Sequence, residues 1–162
     1  MIAHRLPSIV VGIDGSGESD AALRWALREG AARKIPVEVV HCWQRHSPRE
    51  WAAGSPQEVS RSSVRMLDSE ISSGLSGMAA RPEVARTSVH GRTATVLLHR
   101  TENAVLLVIG AHSHLATRHV SRGQVADMCI KWGFCPVVVV DVDNKATSYG
   151  ENRDQITARP PC

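Results

Sequence analysis

Apolar runs of strand length recur five times along this chain, and between them the apolar residues fall into helical spacing. "SIVVGI" (8–13), "VEVVHCW" (37–43), "EVARTSVH" (83–90), "AVLLVIG" (104–110) and "CPVVVVDV" (135–142) are the runs. After the first, Ala22, Leu23, Ala26, Leu27, Gly30 and Ala31 share one helical face. After the second, "SPQE" starts a helix: Ser55 caps it, Pro56 takes the first position and Glu58 completes a capping box. Val64, Leu67, Ile71, Leu75 and Met78 then form its stripe. "TATVLLHRTE" and residues 121–133 supply a third and a fourth helix. Strict alternation of strand and helix predicts an α/β fold with an open, mostly parallel five-stranded sheet and helices on both faces. The unbroken fourth and fifth runs suit strands buried on both faces. Aromatic residues are only 4% of the chain, so the core must be aliphatic.

The remainder bounds the function. Residues 1–143 are expected to form one domain. Residues 144–162 are polar, lack an apolar stripe and contain Pro-Pro, which predicts a loose, disordered tail. The longest apolar runs are far short of the ~20 residues of a membrane span. The formal net charge is +3, with no block of like charges, so no nucleic-acid partner is expected. The amino end lacks a secretory apolar region and the four cysteines form no C-x-x-C pair, which together predict reduced thiols in the cytoplasm. His112, His114 and His119 do not have a zinc spacing. His41 and His90 end their strands and read as capped or solvent-facing. No nucleophile–base signature occurs, so catalysis is not expected.

In open parallel sheets ligands bind beyond the carboxyl ends of the strands, where strand order reverses. The loop after the first strand, "GIDGSGES", is one letter from a P-loop. Gly12, Gly17 and Ser19 are correctly spaced, but Glu18 stands in place of the lysine. A glutamate there sets like charge against a polyanion, at roughly 4 kcal/mol for ~4 Å at an effective dielectric near 20. Glu18 and Asp20 instead suit the first turn of the helix, where the dipole favours acids.

"IVVGIDGSGESDAALRWALREGAARK", "VEVVHCW" and "VLLVIGAHSH…GQVADMCIKWGFCPVVVV" resemble the universal stress protein family, from about Ser8 to Val142. The resemblance implies a flavodoxin-like sheet of strand order 3-2-1-4-5 with its site between strands 1 and 4. It also implies a homodimer paired through strand 5, Pro136 to Val140. An apolar edge strand needs a cover, and the tail folding back is the alternative. ATP-binding relatives carry G-x-x-G-x9-G-[S/T] after strand 4. Gly110 and Gly123 match the first and third glycines, while Ser113 and Gln124 depart from the pattern. The implied nucleotide contacts are Ile13, Asp14, Cys42, Ile109, Gly110, His112, Ser113, Gly123, Gln124 and Val125, with ATP and Mg2+ as ligands. Two readings stay open: a dimeric regulatory module that binds ATP or a related adenine nucleotide, and a dimeric interaction protein of the same fold without ATP. A redox role for Cys42, Cys129 or Cys135 is a distant third.

Overall fold

The computed structural model describes residues 7–44, 54–113, 120–121 and 123–150. Chain order is β1 (Ser8–Ile13), α1 (Gly17–Arg33), β2 (Val37–Trp43), α2 (Pro56–Leu75), β3 (Val84–His90), α3 (Thr93–Thr101) and β4 (Ala104–Gly110). Two short strands follow, β5 (His112–Ser113) and β6 (Val120–Ser121), then α4 (Gly123–Trp132), β7 (Val137–Val140) and β8 (Ala146–Tyr149). The main sheet runs β3-β2-β1-β4-β7-β8. Its first five members are parallel and reproduce the expected order 3-2-1-4-5.

Alternation along each buried strand divides the core between two faces. Ile9, Val11, Val37, Val39, Leu106 and Val108 point to one side, under α1 and α2. Val10, Val40, Leu107, Ile109, Val137 and Val139 point to the other, under α3 and α4. Helix ends follow their local chemistry. Ser16 caps α1 by accepting from Ser19 N–H, and Lys34 closes it in the left-handed region at φ 57°. The capping box at Ser55 and Glu58 is present in full.

Two expectations need correction. The sheet has a sixth strand, because residues 146–149 are not loose: β8 pairs antiparallel with β7, Val137 to Tyr149 and Val140 to Ala146. Asp141 makes the hairpin, its Oδ1 accepting from Asp143 N–H and Lys145 N–H, with Asn144 left-handed at φ 61°. The β7 edge is thus covered within the chain, and a dimer through Pro136–Val140 would have to form across β8 or displace it. Residues 151–162 lie outside the described residues. The second correction concerns residues 111–120, whose His-rich sequence reads as a loop: β5 and β6 there pair into a two-stranded antiparallel ribbon.

One charged pair is set into the sheet. Glu38 on β2 is 4% exposed, and it accepts from Thr87 Oγ1 at 2.7 Å and from the Arg100 guanidinium of α3. This pair ties α3 to the second strand. Removing one member of a buried pair costs about 3–5 kcal/mol because the other is left uncompensated. Arg100→Met should therefore lower stability by about 3 kcal/mol in urea unfolding. Glu38→Met with Arg100→Met should recover most of that loss, and a double variant no more stable than the single would show that the pair is not coupled.

Candidate functional site

At the carboxyl ends of β1 and β4 the sheet opens into a cavity of about 590 Å³. Its floor is apolar, formed by Ile13, Val40, Leu97, Ile109 and Val125. Its polar rim includes Asp14, Ser16, Ser19, Thr93 and Gln124. Three helices begin here: α1 with Ser16 and Glu18, α3 with Thr93, and α4 with Gly123 and Gln124. Converging helix amino termini favour an anion.

The β1 loop builds its side of the cavity by capping. Asp14 Oδ1 accepts from Ser16 N–H at 3.0 Å and from Ser16 Oγ at 2.6 Å. Ser19 Oγ donates to the Ser16 carbonyl, so the hydroxyl that would hold magnesium in a P-loop serves the helix start instead.

The two matching glycines have different reasons. A Cβ on Gly110 would lie 2.6 Å from the Glu18 carbonyl carbon and 2.9 Å from Ser19 N, so the bare Cα lets β4 end directly against the first turn of α1. Gly123 opens α4 at φ +77°, a conformation that costs other residues about 1–2 kcal/mol. Ser113 belongs to the β5 ribbon, and it is not among the described residues with positive φ. The glycine expected there is therefore not needed for a left-handed turn.

Of the expected contacts, Ile13, Asp14, Ile109, Gly110, Gly123, Gln124 and Val125 all line the cavity. Cys42 does not. It packs in the core on the α3 side, where Thr93 hydrogen-bonds the thiol, and burial pushes its pKa up against the pull of Arg100 and Thr93. The side chains of His112 and Ser113, and all of His114, Arg118, His119 and Arg122, lie outside the described set. Thr93 and Leu97 were missed, because α3 follows a strand at the far end of the sheet order. The crossover from β3 to β4 is what carries that helix over the crevice.

The thiols give little support to redox chemistry. Cys129 is fully buried, and burial together with the neighbouring Cys135 raises its pKa to about 12. Reactive cysteines are partly exposed and readily ionised, and this one is neither. Among the described residues no group of three or more His, Cys, Asp or Glu is placed to hold a metal ion. No described helix is long and apolar enough to cross a membrane.

An open α/β sheet with a crevice between its first and fourth strands defines a small-ligand-binding class of fold. A sequence profile described as the universal stress protein family matches residues 6–141, and the chain belongs to that family. A universal stress protein of Mycolicibacterium smegmatis is 27% identical over 148 residues, covering 85% of this chain and 49% of that protein. One from Mycobacterium tuberculosis is 29% identical over 142 residues, covering 85% and 49%. The chain thus spans about half the length of these curated relatives. Among solved structures, a universal stress protein in complex with cAMP superposes with a TM-score of 0.63 at 20% identity, covering 83% of this chain and 97% of that one. A universal stress protein family protein from Arabidopsis thaliana with AMP bound gives 0.55 at 16% identity, covering 83% and 92%. At these identities the structural likeness shows the fold.

The contact at Gly110 predicts a stability defect. Gly110→Ala must push back the backbone of α1 and should cost about 1–3 kcal/mol in urea unfolding, as overpacking does. An unchanged midpoint would mean that β4 and α1 are not in the described contact.

Proposed function

We propose that this chain is a non-catalytic regulatory module of a stress response that binds ATP or a related adenine nucleotide in the crevice between β1 and β4. The observation that carries the reading is the cavity itself. It has room for a ligand of nucleotide size, apolar walls for a flat base, and the amino end of α4 opening on a left-handed glycine. Neighbours of the same fold hold cAMP and AMP, which supports an adenine nucleotide as the ligand class. Asp14 is suited to a ribose hydroxyl or a base amine, since a carboxylate only accepts hydrogen bonds. The anionic group belongs at Gly123 and Gln124, over the helix terminus. Magnesium accompanying ATP would be carried on the phosphates with one or two carboxylates, as it commonly is. The working unit is a cytoplasmic homodimer.

Gln124 favours a second reading, an interaction protein of the same fold that holds no ATP, because it replaces the compact hydroxyl of the family motif with a longer amide. One experiment separates the two. The purified protein is denatured and the supernatant assayed for adenine nucleotide, then its melting is followed with AMP, cAMP and Mg-ATP. Ligand at 100 times its Kd adds about 2.7 kcal/mol, which raises Tm by roughly 5–10 °C in a domain of this size. No released nucleotide and no shift at millimolar ligand would leave the interaction protein as the answer.

The same site predicts a gain of function. Gln124→Ser restores a hydroxyl at the first turn of α4. One hydrogen bond to a charged group is worth about 1.5 kcal/mol, so AMP should bind about tenfold more tightly by calorimetry. Equal or weaker affinity would place the phosphate elsewhere.

A further inference from the structure

Beneath the β1 side of the crevice runs a chain of four hydrogen-bonding side chains. His41 lies at the carboxyl end of β2, in register with Ile13 on one side and Ser88 on the other. Its Nδ1 is 2.7 Å from Ser63 Oγ of α2. Ser63 Oγ is 2.7 Å from Ser88 Oγ, and Trp43 Nε1 donates to Ser88 Oγ at 3.1 Å. Ser63 is 3% exposed, so water is not a ready alternative partner for its hydroxyl.

The chain has a direction. An indole N–H can only donate. With His41 neutral and its proton on Nε2, Trp43 donates to Ser88, Ser88 to Ser63, and Ser63 to His41 Nδ1. Each of the three hydrogens then has an acceptor. A proton on Nδ1 reverses this order. His41 must donate to Ser63, Ser63 must donate to Ser88, and Ser88 accepts from both sides while its own hydrogen leaves the chain. The neutral Nε2–H form is therefore the one the network selects. Burial favours the same form and lowers His41 below the ordinary histidine value of 6.5, while the Asp14 carboxylate pulls upwards.

The charged surroundings are simple. From β1, the Asp14 carboxylate acts on the imidazole. From β3 the register partner is Ser88, and His90, two residues on, packs its ring 4.7 Å from that of Trp43. From α2 the inward group is Ser63, whereas Glu58, Arg61, Arg65 and Asp68 are exposed.

We propose that the Trp43–Ser88–Ser63–His41 chain is a proton switch on the crevice, in which protonation of His41 reverses the two serine hydroxyls and sets a cation beside Asp14 that strengthens binding of an anionic nucleotide at acid pH. The crevice half of the proposal rests on the nucleotide reading, and the hydrogen-bond half does not. The unfolded chain takes up this proton first, so the His41 contribution to stability is full above 6.5 and declines as pH falls from there to the folded value.

Two measurements test it. Nitrogen–proton NMR of the histidine rings in the ligand-free protein should show His41 as the Nε2–H tautomer at pH 8, titrating below 6.5. Ser63→Ala removes the hydroxyl that faces Nδ1 and should release this preference, so that both tautomers appear at pH 8. An Nδ1–H tautomer in the parent protein at pH 8, or an Nε2–H preference unchanged by Ser63→Ala, overturns the switch whatever the crevice binds. Calorimetry with cAMP is the second measurement, because its phosphodiester keeps one charge throughout this range. Affinity should rise about threefold from pH 8 to pH 5.5, the effect of one added positive charge in a nearly aqueous dielectric. His41→Gln should flatten this dependence, and an equal rise in that variant overturns the proposal. No cAMP binding at either pH overturns the nucleotide reading and with it the crevice half, while the ring titration still decides the chain.

Discussion

The crevice depends on one close contact: the end of β4 lies against the first turn of α1, with only a bare Cα at Gly110 between them. This approach brings the amino end of α1 to the mouth of the fourth strand. The α4 terminus, which opens at Gly123, then faces it across the cavity. The contact is backbone against backbone, so side-chain repacking cannot relieve a larger residue there.

That geometry changes how the family motif is weighed. Gly110 is required for helix packing whether or not a ligand is present, and its match therefore says little about nucleotide. Gly123 says more. Its left-handed φ sets the direction in which α4 starts, and the terminus it opens lines the cavity. The departure at Ser113 matters less than the motif suggests, since its extended backbone asks nothing of glycine. Gln124 is the departure that touches the site, because it lines the cavity.

The five parallel strands were legible as apolar or alternating runs between helical stretches, and their order as what the family resemblance implies. β8 was hidden for the opposite reason. Ala146, Thr147 and Ser148 are exposed, so an edge strand held by its backbone ladder carries no apolar signal. The trace it did leave was turn chemistry, an Asp at 141 and an Asn at 144 on the left-handed corner. At the site, the loops after β1 and β4 were found from the switch-point rule, and seven of the ten expected contacts line the cavity. Cys42 shares the face of Val40 but packs beside Thr93 and does not reach the cavity. Ser63 carried no signal of its own in the sequence. Its role needs β3 and β2 to be neighbours, which no spacing within α2 reveals.

The buried polar groups show why such a chain keeps side chains that weaken its elements. Glu38 sits near the start of a strand and Ser63 inside a helix, both against propensity. Each has partners distant in sequence: Thr87 and Arg100 for the first, His41 and Ser88 for the second. A slip of β3 by one residue against β2 would take Thr87 from Glu38 and Ser88 from Ser63, at about 1–3 kcal/mol for a buried polar group that loses a partner. An apolar β3 edge would tolerate that slip far better. The two networks thus select one register at the edge where Val84 to His90 supplies little fully buried apolar surface. They do so along the outer strand of the sheet, where the aliphatic core thins out.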